Sequence, residues 1–197
     1  MGRIGVPFPA VEPIHFAPVP DVTKSKEDRI RRMKLQHQAE GYLELDLPKQ
    51  ALQLLDRLGE ADSVDVRTLS LRGEALRSLE RYVDAIVPLR KVAELEPENV
   101  KVLLALGWCQ KRIGRIDLAI EALEAALAAD SEEPLIRYNL ACYHSVAGDK
   151  RQALAFLEQA LALDPNYRRL IDDEPDFDPL RNDPEFHAVC EGSRTRG

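Results

Sequence analysis

Through residues 32–167 apolar side chains recur every three or four positions, in paired stretches each long enough for a helix. The stretches of a pair are parted near Asp46, Glu80, Gly114 and Gly148, where the chain needs a tight turn. The pairs themselves repeat. Ala51, Ala85, Ala119 and Ala153 stand 34 residues apart, and the same interval separates Leu55, Leu89, Leu123, Leu157, then Leu52, Ile86, Ile120, Leu154, then Ala39, Gly73, Gly107, Ala141. An acidic column, Asp62, Glu96, Asp130, Asp164, ends the second stretch of each unit, and Pro97 and Pro165 follow it because proline cannot continue a helix. The pattern predicts four helical hairpins, over residues 32–65, 66–99, 100–133 and 134–167, and leaves no room for a strand. A lone hairpin cannot bury its apolar face, so stability has to come from stacked neighbours.

The units are not equally regular. The first ends at Asp62-Ser63 and is the most degenerate, the second carries Arg72 at an apolar place and Pro88 inside its second helix, and the fourth carries Arg137 at an apolar place. A proline there predicts a kink or a late helix start, at about 3 kcal/mol. Gly or Ala at 73, 107 and 141 predicts close approach of the first helix of each unit to the second. Ahead of the array, residues 1–23 hold five of the 13 prolines and predict an extended arm. Ser25 with Asp28 reads as a capping box that starts a first helix reaching about Leu45, so the array with its leading turn runs over 24–167. The basic opening of that helix, Lys24 to Lys34, reads as a solvated end face. Beyond Tyr167 the pattern fails at Pro175. Asp183 with Pro184 predicts a short final helix, and Phe177, Leu180, Phe186 and Val189 are placed to cover unit 4, so 168–191 reads as a cap and 192–197 as a disordered tail.

Composition narrows the function. The chain has 197 residues, 31% charged and 45% hydrophobic, with a formal net charge of −7, which removes any global attraction to nucleic acid or anionic membranes. The longest apolar run falls far short of the roughly 20 residues of a membrane span, and the start has no apolar signal core, so a cytoplasmic protein is expected. Cys109, Cys142 and Cys190 are too scattered for a disulfide framework or a zinc site and read as reduced thiols. His144 reads as a core histidine, and no phosphate loop or nucleophile elbow is present. Neither catalysis nor a metal or cofactor is expected.

The units, above all Pro134 to Asn166 with its Tyr-Asn-Leu-Ala-Cys-Tyr segment, resemble the tetratricopeptide repeat family, and the segment Asp172 to Phe186 resembles the closing element of bacterial members. The resemblance implies an all-α, right-handed superhelix of about four hairpins plus a C-terminal capping helix. It also implies a concave groove lined by the first helices, with five places per unit pointing into it. The candidate groove residues are then Arg67 and Arg77 from unit 2, Lys101, Leu104, Trp108, Lys111 and Arg112 from unit 3, and Leu135, Tyr138 and Cys142 from unit 4. Unit 3 and unit 4 supply apolar anchors with a basic rim, which suits a protein or peptide partner with apolar anchors and acidic flanks. The carboxylate clamp of heat-shock co-chaperones is not reproduced in either possible frame. Secretion or assembly chaperoning is the alternative, and a helical-repeat enzyme or regulatory subunit the third choice. Residues 168–191 carry eight acidic and three basic side chains around Phe177, a profile that fits the basic groove of a neighbouring copy and predicts weak self-association.

Overall fold

A computed structural model describes residues 22–58 and 65–192; the expected proline-rich arm lies outside it except for Val22 and Thr23, as do residues 193–197 of the expected tail. Among the described residues there are helices and no strand. Unit 1 pairs α1 (Val22–Glu44) with α2 (Pro48–Leu55), and unit 2 pairs α3 (Val66–Ser78) with α4 (Tyr82–Leu95). Unit 3 pairs α5 (Val100–Arg112) with α6 (Ile116–Ala129), and unit 4 pairs α7 (Pro134–Ala147) with α8 (Lys150–Leu163). Each first helix lies against its own second helix, and each second helix against the first helix of the next unit.

The turn inside each unit is built the same way four times. Asp46, Glu80, Gly114 and Gly148 have φ of 55, 57, 78 and 80°, in the left-handed region. One residue later, the N–H groups of Leu47, Arg81, Arg115 and Asp149 donate to the carbonyls of Tyr42, Leu76, Gln110 and His144 at 2.8–2.9 Å, which closes the helix end. Glycine enters this region freely, whereas Asp46 and Glu80 carry a Cβ against the following carbonyl at roughly 1–2 kcal/mol each. Helix starts are closed by side chains: Asp65, Asn99 and Asp149 accept from the N–H groups of Thr68, Val102 and Gln152.

Helix crossings hold the hairpins together. Ala51, Ala85, Ala119 and Ala153 are all fully buried, and Leu55, Leu89, Leu123 and Leu157 beside them are at most 2% exposed. A Cβ added at Gly73 would stand 2.6 Å from Leu89 Cδ2, and one at Gly107 3.2 Å from the Ala119 carbonyl oxygen. The small residues are therefore what allows the second helix to sit where it does, as the 34-residue column predicts. The buried residues form three consecutive clusters along the array, the largest joining units 3 and 4 to the C-terminal segment.

Two local expectations change. The first helix begins at Val22, before the capping box predicted at Ser25. Of the kink or late start expected from Pro88, the late start is not found: α4 begins at Tyr82, 34 residues before Ile116 and in register with it, and Pro88 is buried inside the helix. Burial of Ala85, Leu89 and Val92 on either side outweighs one missing backbone hydrogen bond. Arg72 and Arg137 occupy apolar places without being buried unpaired. Arg72 bonds Asp56 Oδ1 at 2.8 Å and the Leu55 carbonyl at 3.3 Å, which ties unit 2 to the end of unit 1, and Arg137 bonds Gln159 at 3.1 Å.

After α8 the chain reverses through a 3-10 turn (Pro165–Tyr167), the four-residue helix α9 (Arg168–Ile171), a second 3-10 turn (Pro175–Leu180) and α10 (Pro184–Glu191). Phe177, Leu180, Phe186 and Val189 are buried in the cluster of units 3 and 4. The Arg181 guanidinium donates to the carbonyls of Ile171, Asp172 and Glu174, which holds the second turn as a unit. Lys150 meets Asp183 at 2.6 Å, a contact that favours the charged forms of both and ties α10 to α8.

Two tests of the scaffold follow from this geometry. Ala119→Leu and Ala153→Leu are expected to lower unfolding free energy by about 1–3 kcal/mol each through overpacking, read by denaturant titration; unchanged midpoints in both would refute the crossing points. Glu80→Gly is expected to raise stability by about 1 kcal/mol, since it removes the steric cost of a left-handed non-glycine residue. A lower melting temperature for that variant would refute the argument.

Candidate functional site: the concave groove

The candidate groove residues come from the first helices, α3, α5 and α7, at places fixed by the repeat. Trp108 on α5 is 39% exposed and Leu135 on α7 is 37% exposed. Together with Glu74, Arg77, Lys101, Leu104, Ala105, Asn139 and Tyr143 they line a pocket of about 290 Å³. The rim is basic. Arg112 lies 5.9 Å and Lys111 5.6 Å from the centre of the Trp108 ring, each within cation–π range, and Arg112 also lies 5.2 Å from Tyr82. Arg77 is held by Glu74 at 2.5 Å, and this bond raises its pKa further. Arg67, farther toward the N-terminus, pairs with Glu40 at 2.6 Å in an exposed position. The structure thus brings Arg77, Lys101, Leu104, Trp108 and Leu135 into one pocket and leaves Arg67 outside it.

Tyr138 and Cys142 do not line open groove. They are 4% and 2% exposed, because the 174–180 turn lies on them. Phe177 packs edge-on against Tyr138 with ring centres 5.8 Å apart, and Tyr167 covers the same ring at 4.9 Å. Asp176 forms an ion pair with Lys111, which also lies 5.4 Å from the Tyr143 ring. The acidic tail therefore doubles back onto unit 4 of its own chain, the face that the sequence reading gave it to cover, and not into the neighbour's groove that the self-association reading requires. The short path through α9 makes the reversal possible. Fully buried Phe177 is not available to a second copy in this arrangement.

Chemistry at the covered end is muted. Cys142, Glu174 and Asp176 bring one possible metal-ligand atom each within 4.8 Å of one another. Lys111 already supplies the cation beside Asp176, and burial pushes the Cys142 thiol well above its ordinary range, so the thiolate a metal needs is disfavoured. Burial likewise pushes the Cys109 thiol up to about 11. His144 is buried and stacked on Phe156 at 5.5 Å, in the core position expected of it. His187 is exposed and Cys190 half-buried on α10. No helix among the described residues is long and apolar enough to cross a membrane.

The comparisons with known proteins agree on the architecture. Two tetratricopeptide repeat family models match, one over residues 76–141 and one over residues 134–167. No curated protein matches the chain. Among solved structures, MamA MSR-1 is similar at 25% identity, covering 67% of this chain and 76% of its own, with a TM-score of 0.62. MamA from Desulfovibrio magneticus RS-1, residues 41 to the end, is similar at 22% identity, covering 84% of this chain and 97% of its own, with a TM-score of 0.64. YrrB, described as a TPR protein with an unusual peptide-binding site, is similar at 17% identity, covering 87% of this chain and 89% of its own, with a TM-score of 0.69. The chain carries tetratricopeptide repeats over residues 76–167 and folds as an all-α tetratricopeptide superhelix.

Proposed function

We propose that the chain is a non-catalytic interaction module that holds an extended or short helical segment of a partner protein against α3, α5 and α7. The observation that carries this reading is Trp108. A tryptophan 39% exposed in a concave pocket, with Leu104 and Leu135 beside it, has the form of the aromatic anchors that dominate protein interfaces. Arg77, Lys101 and Arg112 around it would steer acidic flanks of the partner, while Lys111 is engaged by Asp176 and Tyr138 and Cys142 are covered. MamA and YrrB share the superhelix that presents such a surface, and tetratricopeptide repeats generally mediate protein–protein interaction.

A second reading places assembly on the convex side. Val83 and Val87, one turn apart on α4, are 67% and 62% exposed, and Val87 borders a cleft of about 470 Å³ with Leu69, Pro88 and Arg90. Two substitutions separate the readings. With protein recovered from the native cell as the readout, Trp108→Ala is expected to weaken partner capture at least about tenfold, a hot-spot loss near 2 kcal/mol, while Val87→Asp leaves capture intact. Loss with Val87→Asp alone would move the site to the convex side. Partner association should also slow as salt rises from low ionic strength, because the charges are exposed and screened over about 8 Å at physiological salt. A salt-independent association rate would remove Arg77, Lys101 and Arg112 from the steering role.

A further inference from the structure

The 34-residue repeat relates the covered end of the groove to the open pocket. The tail turn is seated on Lys111, Tyr138 and Cys142. One unit earlier, the same three places hold Arg77, Leu104 and Trp108, and all three line the open pocket. The chain therefore contains two successive copies of one seat, the second filled by its own segment and the first open. Lys111 joins them, since it pairs with Asp176 in the second and lies over the Trp108 ring of the first.

We infer that the open pocket takes a partner segment in which a carboxylate is followed directly by an aromatic ring, the pair that Asp176 and Phe177 present one unit farther on. The proposal rests on the concave face being the binding surface. In the filled seat a cation from one first helix meets Asp176, and an aromatic side chain from the next first helix meets Phe177. Both kinds of group recur in the open seat. Arg77 on α3 supplies the cation, and its planar guanidinium suits a carboxylate better than the ammonium of Lys111 does. The aromatic surface that Tyr138 provides in the filled seat comes from Trp108, one turn along α5 from Leu104, where Cys142 stands in the next unit. Arg77 meanwhile holds Glu74, a half-exposed carboxylate on its own helix, so an incoming carboxylate has to take Glu74's place on the guanidinium while Glu74, 42% exposed, turns to solvent. Lys101 and Leu135 border the same pocket and receive the residues that flank the pair.

The tail itself supplies the probe. A fluorescein-labelled peptide with the sequence of residues 172–183 is titrated into the full chain, with anisotropy as the readout. Saturable binding is expected. It should fall at least tenfold when the peptide carries Phe177→Ser, and at least tenfold when the protein carries Trp108→Ala or Arg77→Ala, with Arg77→Lys recovering part of the loss. Melting curves of each variant establish that it is folded. Cys142, sealed beneath the chain's own turn, reports where the peptide goes: alkylation of Cys142, followed by mass spectrometry, is expected to stay slow at saturating peptide. Faster labelling would show the peptide displacing the tail and would overturn the placement. Absence of binding up to millimolar peptide, or equal binding of the Phe177→Ser peptide, would overturn the chemistry. A cellular partner lost with Trp108→Ala yet not competed by the peptide leaves the concave face in place and removes only the carboxylate–aromatic specificity. A partner indifferent to Trp108→Ala removes the concave reading itself.

Discussion

The close crossing of the two helices in each hairpin is the constraint on which everything else in this molecule depends. Alanine at 51, 85, 119 and 153 and glycine or alanine at 39, 73, 107 and 141 bring the helices near enough for Leu55, Leu89, Leu123 and Leu157 to be buried between them. Because every unit uses the same small residues at the same places, every unit has nearly the same thickness. Units of equal thickness stack with a constant rotation, and a constant rotation is what turns a row of hairpins into a groove. The groove is thus a consequence of alanine and glycine, none of which lies at its surface.

A repeat array has a second problem that its period cannot solve, because the last unit has no neighbour. The chain solves it with residues 165–191, whose Phe177, Leu180, Phe186 and Val189 continue the core past α8. The same segment also sets the length of the groove. By laying Asp176 on Lys111 and Phe177 on Tyr138, it covers the Tyr138 and Cys142 surface of unit 4. Covering the end and closing the groove are one packing event, since the aromatic side chain that fills the core is reached through the turn that lies on the concave face.

Most of this was legible in the sequence because it is periodic. The hairpins, their turns and the crossing points all repeat at 34 residues, and repetition makes a single chain act as its own alignment; even the left-handed turn residues Asp46 and Glu80 stand where Gly114 and Gly148 announce a turn. What could not be read was aperiodic. The position of Tyr138 in the register is that of a groove residue, and its burial comes from a segment about 40 residues later whose path depends on α9 and on three carbonyls that Arg181 gathers. The start of the first helix at Val22 was missed for a related reason: a capping box is a local signal, and helix propagation toward the N-terminus overrode it. Pro88 shows the opposite balance, with buried Ala85 before it and buried Leu89 and Val92 after it holding a helix that its local chemistry opposes.

Repetition also places the candidate site. On the proposed reading each first helix contributes the same five places to the concave face, so a difference in function between units has to be a difference in the side chains at those places. Units 1 and 2 carry mostly polar and paired charges there, such as Arg67 on Glu40, and a paired charge already has its partner. Unit 4 carries a tyrosine and a cysteine under the tail. Unit 3 alone combines a large aromatic, half-open to solvent, with a cation, Arg112, that lies over aromatic rings. A cation over a ring keeps most of its field available to an incoming anion, whereas a cation on a carboxylate, such as Arg77 on Glu74, has to exchange that partner first. The proposed binding place is therefore unit 3 with the Arg77 edge of unit 2, at the boundary that the tail stops short of covering.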